Sequence, residues 1–217
     1  MSDSVIINTP VVTLQWPQVD VPDFSGEHSN KEFGTYSFQI LLDPEIDTHR
    51  TFIETYNDLH TELTNKAEKG RDDVIGRRPT PIKPVKSKGE ETGKYRLGFS
   101  KTAQYKDRKT GKIKENRFKF VDRTGTPLSK EEIEKLGAGT TVKLRLALSP
   151  YVQGGVAGCS RKVYTALVVN YVQAGGSDVS DLLEGLEDYD LYTVSGTQSS
   201  ESESVSESVD VDELVDF

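Results

Sequence analysis

Between Lys83 and Lys119 the chain places thirteen Lys or Arg residues against four acids. Tyr95, Phe99, Tyr105 and Phe118 are interleaved with them, and Phe120 follows. Cations neutralise backbone phosphates and aromatic rings stack on any base, so this pairing suits a sequence-tolerant grip on single-stranded nucleic acid. Strand alternation divides the run. Tyr95, Leu97 and Phe99 share one face, as do Phe118 and Phe120, and both sets read as core. Arg96, Arg117 and Lys119 then point outward, alongside Lys101, Lys106, Arg108, Lys109, Lys112 and Lys114. Lys143 and Arg145 add an outward pair further on. Tyr105, flanked by Gln104 and Lys106, is the first stacking candidate. Tyr151, beside Pro150 and ahead of a glycine-rich loop, is the second. The alternative is a cationic face that is only solvated.

Catalytic chemistry finds little footing. His28, His49 and His60 fall in the first 60 residues with no matching Cys or His cluster, and the two on the helix read as solvated. No metal site and no cofactor are expected. GEETGKY (89–95) resembles a phosphate loop only superficially, with three residues between its glycines instead of four and tyrosine in place of Ser or Thr. No G-x-S-x-G is present. Asp107, Glu115 and Asp122 are scattered among bases or at turns, so they do not converge as a nuclease would require. The lone Cys159 excludes an intrachain disulfide and reads as a small, partly buried residue.

The elements that position the cations are mostly strands. TPVVTLQW (9–16) and GTYSFQILL (34–42) are rich in β-branched and aromatic residues, with a loop through Pro17, Pro22, Gly26 and Asn30 between them. Asp43-Pro44 is predicted to open a helix, with the carboxylate as cap. Its apolar stripe is Phe52, Tyr56, Leu59 and Leu63, and Gly70 ends it. Residues 77–93 read as a proline- and lysine-rich connection. YRLGF (95–99) is a strand with Gly98 at a bulge or bend. Residues 104–122 form a hairpin around KTGK that leads into a strand through Phe120. Ser129 and Glu132 make a capping box for a short helix. TVKLRLALS (141–149) and VYTALVVNYV (163–172) are the last strands. The predicted fold is mainly β, an OB-fold-like barrel of five to six strands with a helical insertion, over residues 1–176.

The formal net charge of -8 conceals a segregation. All 27 bases lie at or before Lys162, so residues 1–176 carry +5 and residues 177–217 carry -13 with no base. Such asymmetry points to nucleic-acid binding and an acidic interaction tail. Val179, Leu182, Leu183 and Leu186 sit at helical spacing, and the Ser- and acid-rich segment beyond them is predicted to be disordered. No apolar run approaches the ~18 residues a membrane span needs. The start has no basic region followed by an apolar one, so the cytoplasm is the default location.

The hairpin YKDRKTGKIKENRFKFVDRTG (105–125), the strand entry LGAGTTVKLRLALSPY (136–151) and the acidic tail closing on Phe217 together resemble the single-stranded DNA-binding proteins of tailed bacteriophages. TPVVTLQWPQV (9–19) is similar to the first strand of that broader family. The resemblance implies an OB-fold and protection of single-stranded DNA during phage replication and recombination, in the cytoplasm of the bacterial host. It also implies a tail, through Asp210, Asp212, Glu213, Asp216 and Phe217, that contacts replication proteins such as a polymerase or helicase-primase. Tethered to a basic groove, the tail is a competitor for it at roughly millimolar effective concentration. Strand annealing or RNA binding is the nearest alternative, a phage nuclease or virion structural protein a more distant one. A homodimer is compatible with the sequence.

Overall fold

The computed structural model describes residues 4–27 and 29–174. In chain order its elements are β1 (Val5–Asn8), β2 (Val12–Asp23), β3 (Thr35–Leu42), α1 (Asp47–Glu68), β4 (Gly76–Arg77), β5 (Ile82–Ser87) and β6 (Glu90–Thr102). There follow β7 (Gln104–Lys106), β8 (Ile113–Glu115), β9 (Phe120–Val121), α2 (Lys130–Glu134), β10 (Thr141–Gln153) and β11 (Val156–Asn170). One nine-stranded sheet runs in the order β4-β11-β10-β2-β3-β6-β5, with β1 added on β10 and β9 on β11. The fold is mainly β with a helical insertion, as the sequence indicates, although the path does not close into a barrel.

Alternation explains the core. Tyr36, Phe38, Ile40 and Leu42 on β3 face inward, and their register partners Phe99 and Leu97 on β6 join them. Val142, Leu144, Leu146 and Leu148 bring in β10, while α1 lays Phe52, Tyr56 and Leu63 over β10 and β11. Phe118 and Phe120 are both buried, as the sequence indicates, although only Phe120 lies in a strand. The capping box of α2 is present, Ser129 Oγ accepting from the Glu132 amide at 3.2 Å and Glu132 Oε2 accepting from the Ser129 amide at 2.6 Å.

Several elements differ from the sequence expectation. Residues 17–23 continue β2 instead of forming a loop. Beyond Leu14 this strand pairs only with β3, so Pro17 and Pro22 sit where one edge needs no donor, among register shifts. The connection at 77–93 contains β5 and a hairpin into β6. Helix α1 begins after Ile46 because the Asp43 carboxylate instead accepts the Glu45 amide at 3.0 Å, closing a turn ahead of it. His49 and His60 are buried, not solvated. The His49 Nδ1 accepts the Asp43 amide at 3.0 Å, which puts the proton on Nε2, where it is donated to the Val11 carbonyl at 2.9 Å. Gly98 lies in regular register opposite Gln39 with no bulge. His28 and the predicted acidic tail (177–217) lie outside the described residues. No described helix is long and apolar enough to cross a membrane.

Cys159 is buried on β11, and desolvation pushes its thiol up to about 11. We expect iodoacetamide at pH 8 to modify the native protein far more slowly than the urea-unfolded one, measured by mass spectrometry. Equal rates would contradict this environment.

Candidate nucleic-acid interface

The cationic hairpin leaves the main sheet at a pinned root. Ala103 is buried, its amide donates to the Gly34 carbonyl at 2.9 Å, and its carbonyl accepts from the Asn116 amide at 2.7 Å. Beyond it β7 and β8 form a two-stranded sheet of their own, with Tyr105 opposite Lys114. The turn is built by Asp107, whose carboxylate accepts the amides of Lys109 and Thr110 at 2.8 and 3.1 Å, and Gly111 supplies the positive φ. Lys114 completes an ion pair with the same carboxylate. That bond first, and the turn amides after it, hold the Asp107 carboxyl below its ordinary range. Both acids of the arm are used internally, Asp107 by Lys114 and Glu115, on β8, by Arg117. Lys106, Arg108, Lys109 and Lys112 are exposed and make no ion pair among the described residues, and Tyr105 is 45% exposed.

Two predicted ligand residues make internal contacts at the arm's root. The Arg117 guanidinium lies 5.4 Å from the Tyr36 ring centroid, and its Nε donates to Glu115 Oε1 at 2.7 Å. The Tyr36 hydroxyl donates to the same oxygen at 3.2 Å. Arg117 is therefore half-buried, not on the outward face its strand parity assigns, because β9 starts only at Phe120 and parity does not extend back to it. Lys101 donates to the Arg117 carbonyl at 2.7 Å and lies over Phe118. Burial, with Lys162 nearby, lowers its pKa.

The remaining predicted residues are dispersed. Lys119 is exposed just before β9. Lys143 and Arg145 are exposed on β10, separated in sheet order from β6 by β2 and β3. Tyr151 is half-buried and packs on its cross-strand neighbour Gly158, where a Cβ would lie 3.0 Å from the ring. Arg96 opens onto a groove of about 380 Å³ at the seam where β11 faces β6 without pairing. Its lining includes Gln39, Arg78, Lys83, Arg96, Gly98 and Arg161, with no acid. Arg161 bridges the seam, its Nε donating to the Gly98 carbonyl at 2.8 Å. Arg78 and Arg161 fall outside the 83–119 run, so only the tertiary fold joins them to Arg96. The tail residues Asp210, Asp212, Glu213, Asp216 and Phe217 lie outside the described residues.

The fold is similar to that of gp2.5, a single-stranded DNA-binding protein encoded by bacteriophage T7. The TM-score is 0.59 at 17% identity, over 85% of this chain and 96% of that one. It is also similar to the single-stranded DNA-binding protein from bacteriophage Enc34. In that protein's complex with single-stranded DNA the TM-score is 0.55 at 17% identity, over 77% of this chain and 87% of that one. A second structure of the Enc34 protein gives 0.53 at 19% identity, over 82% and 89%. Among curated proteins there is no sequence match. The family model for the bacteriophage T7 single-stranded DNA-binding protein matches residues 12–170, and the chain belongs to that family.

Proposed function

We propose that this chain binds single-stranded DNA stoichiometrically and without catalysis, coating it during phage DNA replication and recombination in the host cytoplasm. The observation that carries the reading is the arm: a separate two-stranded ribbon that presents Tyr105 among exposed cations while its two acids, Asp107 and Glu115, are paired internally. Lys106, Arg108, Lys109, Lys112 and Lys114 supply phosphate contacts, Tyr105 a stacking surface, and Arg96 a cation in the seam groove. Lys119, Lys143, Arg145 and Tyr151 extend the cationic and aromatic surface. Lys101 and Arg117 act by holding the arm's root.

A titration of labelled single-stranded, duplex and RNA oligomers at several salt concentrations tests it. Log affinity for the single strand should fall with log salt by about 0.7 per phosphate neutralised. No salt dependence, or equal affinity for duplex, would refute the reading.

The acidic segment 177–217 acts in this scheme as a tethered competitor for the cationic surface and as a docking peptide for replication proteins. Deleting residues 195–217 should raise DNA affinity at low salt, and the gain should shrink as salt screens exposed charges beyond about 8–10 Å. Removing Phe217 alone keeps every acidic side chain, so it should leave DNA affinity unchanged and weaken binding to a replication polymerase or helicase-primase. Identical DNA curves for the full and 195–217-deleted chains at low salt would eliminate the competitor.

A further inference from the structure

Leu14 and Val19 are both buried on β2, yet they lie five residues apart, which a regular strand with period two forbids. The extra residue is accommodated between Gln15 and Gln18, where the register against β3 shifts. Trp16 stands there at φ 44°, a left-handed conformation that is an outlier for a bulky side chain. Leu14 and Trp16 share parity, so an unbroken strand would bury the ring. The bulge leaves it 63% exposed instead. Both properties are unfavourable for folding: the backbone is strained, and one of the largest apolar side chains forgoes burial. A strained backbone that holds an exposed indole points to a ligand.

The neighbourhood suits one class of ligand. Gln15, Gln39 and Gly98 are register partners in one row across β2, β3 and β6, on the face opposite Leu14, Ile40 and Leu97. Gln39 and Gly98 form part of the groove lined by Arg96 and Arg161. Two strand spacings, about 10 Å, thus separate the line of β2 from that of β6. The side-chain oxygens of Gln15 and Gln39 are enclosed without a protein hydrogen-bond partner, so both amides have an unmet bond that turning outward toward a ligand would satisfy. We propose that Trp16 is a base-stacking platform, and that the single strand it holds continues across the Gln15–Gln39–Gly98 row into the Arg96–Arg161 groove. This track is separate from the β7–β8 arm, and it rests on the reading of the chain as a single-stranded DNA binder.

Trp16 is the only tryptophan in the chain, so its emission reports on this one ring. The experiment titrates the full chain with end-labelled oligothymidylate of about 16 nucleotides, the upper site size for one OB fold. Label anisotropy and tryptophan emission are followed together. We expect the emission to be quenched in step with the anisotropy, and Trp16→Ala to weaken binding about 5- to 150-fold. Trp16→Phe should keep most of the affinity. Trp16→Gly should weaken binding like Trp16→Ala while holding or raising Tm, since glycine accepts the left-handed backbone without strain. Rising anisotropy with unchanged emission, wild-type affinity in Trp16→Ala, or a Trp16→Gly Tm that falls with affinity would each overturn the platform while DNA binding stands. No anisotropy change in the unmutated protein would overturn the binding reading itself.

Discussion

Phe38→Ala should lower the unfolding free energy by about 3–5 kcal/mol, the range for truncating a buried phenylalanine. Phe38 is 1% exposed and sits at the centre of an aromatic cluster. Its ring centroid lies 5.2 Å from Phe99, 4.8 Å from Phe118 and 6.1 Å from Phe120. Those partners come from β6, which enters the arm, and from the segment that returns from it. Removing the central ring opens a cavity on which both sides of the arm's root depend. In urea the midpoint should drop with the slope unchanged, and Tm should fall by roughly 6–20 °C. Phe38→Leu should recover part of the loss by refilling the space. A loss below about 1 kcal/mol would show that the cluster collapses freely around the missing ring.

Tyr105→Ala should weaken single-stranded DNA binding by about 1–3 kcal/mol and leave the salt slope unchanged, because a stacked ring releases no counterion. The ring is 45% exposed on a three-residue strand, so the same substitution should barely move Tm. Lys109→Ala provides the contrast. Lys109 is exposed in the turn, where its backbone amide is held by Asp107 while its ammonium makes no ion pair among the described residues. Its loss should reduce the salt slope by about 0.7 if it neutralises one phosphate. The two variants therefore separate stacking from charge in one set of titrations. Unchanged affinity in Tyr105→Ala would remove the arm's ring from the binding surface.

How much was legible depended on whether a residue's fate is set locally. The alternation of β3, the core placing of Phe118 and Phe120, the hairpin around Lys109 and the capping box at Ser129 are short-range patterns, and all are present. Proline misled twice. Pro17 and Pro84 read as breaks, yet each lies in a strand with an unpaired edge, a property only the assembled sheet reveals. His49 and His60 on a polar helix read as solvated, but α1 turns them toward the strands. Arg117 read as outward because strand parity was carried back from Phe120, but the chain between β8 and β9 is not a strand and the side chain is half-buried. The seam groove was invisible for another reason: Arg78, Arg96 and Arg161 come from three segments that no local window contains.

The open seam also leaves β5 as the last strand of the sheet. An unpaired edge normally invites a second chain to add a strand, the first step toward aggregation. Here Pro84 removes one donor from that edge, and Lys83 and Lys86 on the same six-residue strand add repulsion between identical copies. Lys83 is also part of the groove lining. The charge that would hold a polyanion thus also discourages self-pairing, so replacing Pro84, Lys83 and Lys86 by threonine would be expected to promote precipitation as well as weaken DNA binding.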